Sequence, residues 1–343
     1  MKDSNFKVCV RCFTFNQSKY IIETMNGFCN QQTNFPFICC VVDDASTDGE
    51  QEVITDYLNE YFDMHNSSVA YKKETDYAHI IYSQHKENKN CYFVVLLLKE
   101  NHYKKKSKLP YIEKWRRNCK YEAICEGDDF WCINTKLQSE VNYLDNDAEI
   151  GLVYTNFHYI DEIGNKIDAP NVEPYISLPK YIREGYIWHY LLNGECGVLT
   201  CTILFRHRLL QDERIFIDQS IFLTIARQSK FAYIDEKSSC YRILPNSAMR
   251  SSVSWVQRAS ANAKFYQLYY FSKGFPTNKF YFSFKSKLHV ARYFIRLIKS
   301  WSLIDEANKK TMLKNIIKNN LLLILYLPIS MVIIIMCKFK RRR

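Results

Sequence analysis

The feature that most constrains the fold is the uniformly apolar run Phe-Ile-Cys-Cys-Val-Val at residues 37–42. A strand that is apolar on both sides is typical of a parallel sheet covered by helices on both faces. Residues 7–13 form a similar run, and a segment with helical periodicity follows each of the two. This alternation of strand and helix predicts an α/β fold with a mostly parallel sheet and helices on both faces.

The two helices have distinct start signals. The first is predicted to begin at Ser18, and the second follows Asp48, with Gln51 three residues later as in a capping box. Further strands are predicted at residues 91–98, 121–125, 151–158 and 198–205, and further helices at residues 111–118 and 134–144. Residues 63–90 are polar and irregular, and we interpret them as an insertion.

At 343 residues, the chain can bury a full core and exceeds one minimal domain. We expect a catalytic domain over residues 1–250 and a helical appendage, rich in Tyr, Phe and Lys, over residues 251–319. Residues 320–343 form an apolar segment with a basic end.

The positive charge is concentrated at the carboxyl end. Residues 309–343 carry +9 of the formal net charge of +11 and contain no acidic residue. Because these cations flank the uncharged stretch at 321–337, they indicate contact with anionic lipid of the inner membrane leaflet rather than with nucleic acid. The stretch has 17 residues, fewer than the roughly 20 that a spanning helix needs. A helix lying in the leaflet is therefore favoured over a span, and a buried core helix is the third alternative.

The thirteen cysteines, an odd number, lie mostly inside apolar runs. This usage suits a reducing compartment, and Cys9 and Cys12 are interpreted as buried small hydrophobic residues despite their C-x-x-C spacing. The polar residues 1–6 do not resemble a secretory signal. Together with the basic tail, these features predict a location at the cytoplasmic face of the cell membrane.

An acidic cluster follows the predicted strand at residues 121–125. Glu126, Asp128 and Asp129 fall within four positions, and carboxylates this close repel one another and raise one another's pKa. A divalent metal that binds there would relieve the repulsion. The alternative interpretation is a solvated acidic turn.

Two other polar turns follow predicted strands, Phe13-Thr-Phe-Asn16 after the first and Asp43-Asp-Ala-Ser-Thr-Asp-Gly49 after the second. In a parallel sheet these turns and the acidic cluster emerge at the same edge, where ligands bind. Two rival motifs are disfavoured. The Asp44 loop has Thr55 where an EF-hand needs Glu, and no G-x-G-x-x-G follows the first strand.

The combination of these three motifs resembles the family-two inverting glycosyltransferases of the GT-A fold, over roughly residues 7–250. The resemblance implies a Rossmann-like nucleotide-binding sheet and a metal-dependent enzyme that uses a nucleotide-diphosphate sugar. It implies that Asp44 accepts a hydrogen bond from the nucleobase. The implied nucleotide-sugar-binding residues around it are Phe13, Phe15, Asn16, Asp43 and Ser46. Asp128 and Asp129 would hold Mn²⁺ or Mg²⁺, whereas Glu126 stands where the family usually has its first Asp.

The second half of the chain carries two further family-like segments. Asp218, in Phe216-Ile-Asp-Gln-Ser-Ile-Phe222, resembles the base that deprotonates the acceptor hydroxyl, although an Asp at a helix start is otherwise a cap. Arg242 lies in a segment that resembles Tyr-Arg-x-His-Pro-x-Ser, with Leu244 in place of His, and is implied to contact the diphosphate. The lysines at residues 104–108 either meet the diphosphate or form a solvated loop.

The sequence therefore predicts a glycosyltransferase that acts on a glycan or lipid-linked acceptor in surface polysaccharide biosynthesis. The departures from the family pattern at Glu126 and Leu244 motivate an alternative, a nucleotide-sugar-binding or scaffolding protein at the membrane that has lost turnover.

Overall fold

The computed structural model describes residues 6–103, 106–168, 178–193, 196–210 and 218–245, with a few isolated positions beyond residue 290. The chain divides into two units. The first comprises Met1–Ser177, Val198–Gln211 and Phe231–Ile243, and the second comprises Leu178–Gly197, Asp212–Lys230 and Leu244–Arg343.

The described residues form ten strands and seven α-helices. The strands are β1 (Val8–Thr14), β2 (Phe37–Asp43), β3 (Tyr71–Glu74), β4 (Ala78–Gln84), β5 (Cys91–Leu98), β6 (Tyr121–Ile124), β7 (Phe130–Trp131), β8 (Ile150–Ile160), β9 (Ile203–Arg206) and β10 (Lys230–Arg242). The helices are α1 (Ile21–Cys29), α2 (Glu50–Tyr61), α3 (Leu109–Arg116), α4 (Lys136–Asn146), α5 (Lys180–Arg183), α6 (Trp188–Asn193) and α7 (Asp218–Ala226).

The strands form one sheet in the order β3-β4-β5-β2-β1-β6-β9-β8-β10-β7. The sheet is mixed, so the prediction of a mostly parallel sheet is wrong. Only β5, β2, β1 and β6 pair in parallel among the described residues, whereas β4, β9 and β7 pair antiparallel with their neighbours. One reason is that residues 63–90 contain the β3–β4 hairpin, whose outer strand Tyr-Lys-Lys-Glu is mostly exposed and lacks an apolar run. Charged residues are typical of such edge strands.

Helices cover both faces of the sheet, as predicted. Successive residues of β1 point to opposite faces, so Val8 and Val10 join an apolar cluster with α1, α2 and α4. Cys9 joins the cluster on the other face, which includes Ile112 of α3. Every cysteine in the described part of the chain is free, and Cys9 and Cys12 are fully buried as predicted.

The starts of all four predicted helices differ from the prediction, and α3 begins at Leu109 rather than at residue 111. α1 begins at Ile21 rather than at Ser18. α2 follows Gly49, whose φ of 87° is left-handed, and no capping box forms, because the Gln51 amide donates to Asp43 Oδ1 and to the Leu98 carbonyl. α4 begins at Lys136 rather than at residue 134, and no side chain caps it.

In the second unit, the described residues include α5, α6 and α7, and α6 packs against α7. Within the described positions, no helix combines the length and apolar character needed to cross a bilayer. The stretch at residues 321–337 and the predicted appendage at 251–319 lie largely outside the described residues. Their predicted boundaries therefore stay predictions.

Candidate active site

Three polar turns meet at the carboxyl ends of β1, β2 and β6. The backbone N–H of Asp44 donates to the Thr14 carbonyl at 3.0 Å, and the N–H of Gly127 donates to the Phe13 carbonyl at 3.3 Å. The turn after β1 therefore lies between the other two. The structure brings together the three motifs that the sequence predicts at one sheet edge.

Side-chain hydrogen bonds join the β1 and β2 turns. Asn16 has a φ of 54°, and its N–H donates to Ser46 Oγ at 2.8 Å. In return, its side-chain carbonyl accepts the N–H of Thr47 at 2.8 Å. Asp43 is buried and accepts the N–H of Ser46 at 3.1 Å. Asn16, Asp43 and Ser46 thus hold the shape of this edge.

Glu50, a buried carboxyl group bonded to these turns, is a site residue that the sequence pattern does not predict. It contacts the Thr14 hydroxyl and accepts the N–H of Gln17 at 2.8 Å and the Ser46 hydroxyl at 2.9 Å. Burial raises its pKa, although these hydrogen bonds oppose the shift. An acidic residue in the first turn of a helix is expected from the helix dipole alone, so its position in the sequence does not indicate that Glu50 is buried and bonded to the turns.

Asp44 is 1% exposed, and both of its oxygens have partners. Oδ1 accepts the N–H of His102 at 2.7 Å, and Oδ2 lies 2.8 Å from the Lys108 ammonium. Lys108 also lies 5.2 Å from the centre of the Phe13 ring, which is half-buried, while Phe15 is 44% exposed. Lys108 is therefore an ion-pair partner of Asp44 and not part of a solvated loop.

The acidic turn after β6 packs tightly against the β1 turn. A Cβ atom on Gly127 would lie 2.3 Å from Thr14 Oγ1 and 2.5 Å from Gln17 Oε1, so only glycine fits there. The Thr24 hydroxyl of α1 lies 2.9 Å from the Gly127 carbonyl and 2.7 Å from the Asp129 carbonyl. These contacts fix the backbone between Glu126 and Asp129.

The three acidic side chains of this turn have different surroundings. Asp129 is 2% exposed and accepts the N–H of Arg242 at 2.8 Å. Burial raises its pKa well above the usual value, and repulsion from Asp128 and Glu126 adds to the shift. Asp128 is half-buried, and burial raises its pKa as well. Glu126 accepts the Thr200 hydroxyl at 2.8 Å.

These surroundings bear on the predicted Mn²⁺ or Mg²⁺ site. Across the described ranges, no group of three His, Cys, Asp or Glu side chains is arranged to hold a metal ion. Asp129 is buried against Arg242 and Glu126 is bonded to Thr200, which leaves the half-buried Asp128 as the best placed ligand. One carboxylate fits an ion that takes its other ligands from water and a diphosphate, as Mg²⁺ commonly does.

Arg242 is 4% exposed, and all three of its guanidinium nitrogens have partners. Nε donates to the Asp128 carbonyl at 3.0 Å, Nη1 donates to the carbonyls of Asp161 and Glu162, and Nη2 pairs with Glu23. This arrangement differs from the diphosphate contact that the resemblance implies. Arg242 anchors the acidic turn to the turn that follows β8 and to α1.

Asp218 is the first residue of α7, in the second unit. Its side chain lies outside the described residues, and its assignment as the catalytic base stays a prediction.

Comparison with known proteins shows which family the chain resembles. Residues 10–74, which contain the β1 and β2 turns, match the model described as Glycosyl transferase family 2. The resemblance to the family-two glycosyltransferases is confirmed. An uncharacterized protein of Mycobacterium tuberculosis is 28% identical over 153 residues, which are 45% of this chain and 36% of that protein. An uncharacterized glycosyltransferase of Methanocaldococcus jannaschii is 29% identical over 130 residues, 37% of this chain and 43% of the relative. The chain thus spans less than half the length of these curated relatives.

The fold of this chain is also similar to a solved structure. S. aureus TarS, residues 1–349, matches with a TM-score of 0.50 and 14% identity, covering 87% of this chain and 73% of that chain. This likeness supports a GT-A-like mixed α/β sheet.

Proposed function

We propose that this protein is an inverting glycosyltransferase that moves a sugar from a nucleotide-diphosphate sugar to a hydroxyl of a membrane-held acceptor. The observation that carries the proposal is the meeting of the β1, β2 and β6 turns at one edge of the sheet. This edge is where ligands bind in open α/β sheets, and two of the turns lie within the family-two match.

The residues of this edge suit a nucleotide sugar. Phe13 and Phe15 would line the base pocket, and Asp44 would accept a hydrogen bond from the base in competition with its present partners, His102 and Lys108. Asn16, Asp43 and Ser46 support the loop that carries Asp44. Mn²⁺ or Mg²⁺ held at Asp128, with Asp129 behind it, would offset the charge of the leaving diphosphate.

The chemical step is a single displacement. Asp218 accepts the proton of the acceptor hydroxyl, the hydroxyl oxygen bonds to the anomeric carbon, and the bond from that carbon to the diphosphate oxygen breaks. Because attack and departure occur on opposite sides of the carbon, the configuration inverts.

We further propose that the acceptor is a glycan or lipid-linked oligosaccharide in surface polysaccharide biosynthesis, at the cytoplasmic face of the cell membrane. The support is the basic end of the chain. Nine Lys and Arg residues with no acidic residue lie at positions 309–343, on both sides of an apolar stretch, and this charge favours anionic lipid.

The assignment of the base is tested by Asp218→Asn. Transfer should fall by a factor on the order of 10² to 10⁴, because general base catalysis supplies about that much, while nucleotide binding is unchanged. Asp56→Asn is the control, because Asp56 is an exposed residue of α2. Full transfer activity in Asp218→Asn would contradict the assignment.

A second candidate is a nucleotide-sugar-binding protein without turnover. It is favoured by the lack, within the described residues, of three converging metal-ligand side chains. Binding of nucleotide sugar with neither transfer nor donor hydrolysis, across a panel of donors and with Mn²⁺ present, would select this candidate.

A further inference from the structure

A groove lined by uncharged amide side chains lies at the opposite edge of the sheet, where β2 and β5 begin. The segment from Cys29 to Asn34, which connects α1 to β2, lines this open groove, whose volume is about 600 Å³. An adjoining cavity of about 390 Å³ shares part of the same wall and adds Asn134. We call the two cavities together the amide groove; its other amide residues are Asn30, Gln31, Gln32, Asn88 and Gln138.

Hydrogen bonds hold the frame of the amide groove. The Gln31 amide donates to the Ile133 carbonyl at 2.9 Å, and the Asn88 amide donates to the carbonyls of Cys29 and Gln31, both at 2.8 Å. The Gln138 side-chain carbonyl accepts the N–H of Asn34 at 2.9 Å. The groove is therefore preformed, as small-molecule sites usually are.

Four other amides of the groove are available to a ligand. Asn30, Gln32, Asn34 and Asn134 are exposed, and their side chains make no hydrogen bond to another residue of the described ranges. Each amide offers one carbonyl acceptor and two N–H donors. A ligand in the groove thus meets closely spaced donors and acceptors of neutral charge.

The composition of the lining restricts the class of ligand. Charged residues make up 24% of the chain, yet none lines either cavity. Nucleic acids and other polyanions need Lys or Arg, which this groove lacks. A peptide binds through a free sheet edge or apolar anchor pockets. Of the apolar residues that line the groove, Cys29 and Trp131 are buried and Ile133 is half-buried, which leaves Cys132 as the exposed one. Sugar hydroxyls, which both donate and accept, match amides on both counts.

We propose that the amide groove binds a neutral oligosaccharide. Its volume of about 600 Å³ lies within the usual range of ligand sites. The seven residues of β2 separate the cavity of about 600 Å³, at the start of β2, from the Asp44 turn by about 20 Å, at roughly 3.3 Å per residue. The adjoining cavity lies nearer the acidic turn, because Trp131, two residues after Asp129, lines it. The proposed site is therefore centred on the first cavity, distinct from the β1–β2–β6 edge, and its ligand does not depend on the transfer reaction proposed above.

The test is binding of the full-length protein to arrays of neutral oligosaccharides, acidic oligosaccharides and peptides, followed by titration of the best neutral glycan. The double variant Gln32→Ala/Asn34→Ala should weaken that binding at least tenfold, and so should Asn30→Ala/Asn134→Ala. Asn59→Ala is the matched control, because it removes an exposed amide from α2. Since all these side chains are exposed, thermal melting should be unchanged in every variant.

Three results would overturn the proposal: no neutral glycan binds, only acidic glycans or peptides bind, or the double variants bind neutral glycan as the wild type does. Asp44→Asn, at the other edge, should keep wild-type glycan binding while it loses nucleotide binding. The proposal for the amide groove and the proposal for the nucleotide-sugar site can therefore be refuted independently of each other.

Discussion

The ammonium of Lys108 lies 2.8 Å from Oδ2 of Asp44, and His102 donates its N–H to the other oxygen at 2.7 Å. The carboxylate that the family resemblance assigns to the nucleobase is therefore already paired within the chain. A nucleobase bound at Asp44 would have to compete with these partners.

Lys108→Ala tests this pairing. Loss of the ammonium leaves Asp44, which is 1% exposed, with an uncompensated charge, so the free energy of unfolding should fall by about 2 kcal/mol. Lys106→Ala, at an exposed neighbour, should change it by less than about 0.5 kcal/mol. Urea denaturation measures both values. Equal, small effects would show that the ion pair contributes nothing to stability.

Gly127→Ala tests the packing between the β1 and β6 turns. An added Cβ would lie 2.3 Å from Thr14 Oγ1, so the turn must move, and we expect a loss of about 2 kcal/mol or more together with loss of nucleotide binding. Gly49→Ala is the contrast. Its φ of 87° would cost an alanine about 1–2 kcal/mol of backbone strain, but no atom lies within 4 Å of the new Cβ. If Gly127→Ala melts like the wild type, the packing is looser than the structure indicates.

Arg242→Lys separates anchoring of the acidic turn from direct contact with a diphosphate. A lysine cannot reproduce the guanidinium bonds to the carbonyls of Asp128, Asp161 and Glu162, so the thermal midpoint without nucleotide should fall, with a loss of about 2–3 kcal/mol. Glu23→Gln, which removes a charge from a half-exposed partner, should cost less. An unchanged midpoint with weaker nucleotide binding would instead favour the diphosphate contact.

Glu122, fully buried on β6, makes stability depend on pH. Burial opposes its ionisation, but a hydrogen bond from His207 and the charges of Arg11 and Arg116 outweigh it and lower the pKa to about 2. Since the folded state binds this proton less readily than the unfolded state, Glu122 stabilises the fold above the usual pKa of 4.5. That stabilisation is lost as the pH falls towards 2.

The advantage of the wild type over Glu122→Gln in urea denaturation should therefore shrink from pH 5 to pH 2, by roughly 3 kcal/mol. A difference that does not change with pH would contradict the lowered pKa of Glu122.

The strand-end motifs could be predicted from the sequence because their signals are local. Apolar runs mark β1, β2 and β6, and the turns that follow them necessarily meet at one edge once these strands pair in parallel. The edge hairpin β3–β4 could not be predicted from the sequence, because β3 is short and charged and its pairing depends on contacts made elsewhere in the fold.

The roles of Glu50 and Arg242 could not be predicted from the sequence either. Each is defined by partners distant in the chain, such as Thr14 for Glu50 and Asp128 for Arg242, and no local pattern encodes such pairs. The predicted helix starts were wrong for a related reason. The Gln51 amide, expected to close a capping box, bonds to Asp43 and Leu98 instead, because the tertiary contacts outweigh the local one.

The central claim is that the β1, β2 and β6 turns form one nucleotide-sugar site. Calorimetric titration with uridine and guanosine diphosphate sugars, with Mn²⁺ present, tests it most directly on the wild type and on Asn16→Ala, Asp44→Asn and Asp128→Asn. We predict saturable binding of a donor to the wild type and to the control Asp56→Asn, and at least tenfold weaker binding to each of the three variants. Absence of binding to the wild type, or equal binding to all three variants, would contradict the claim.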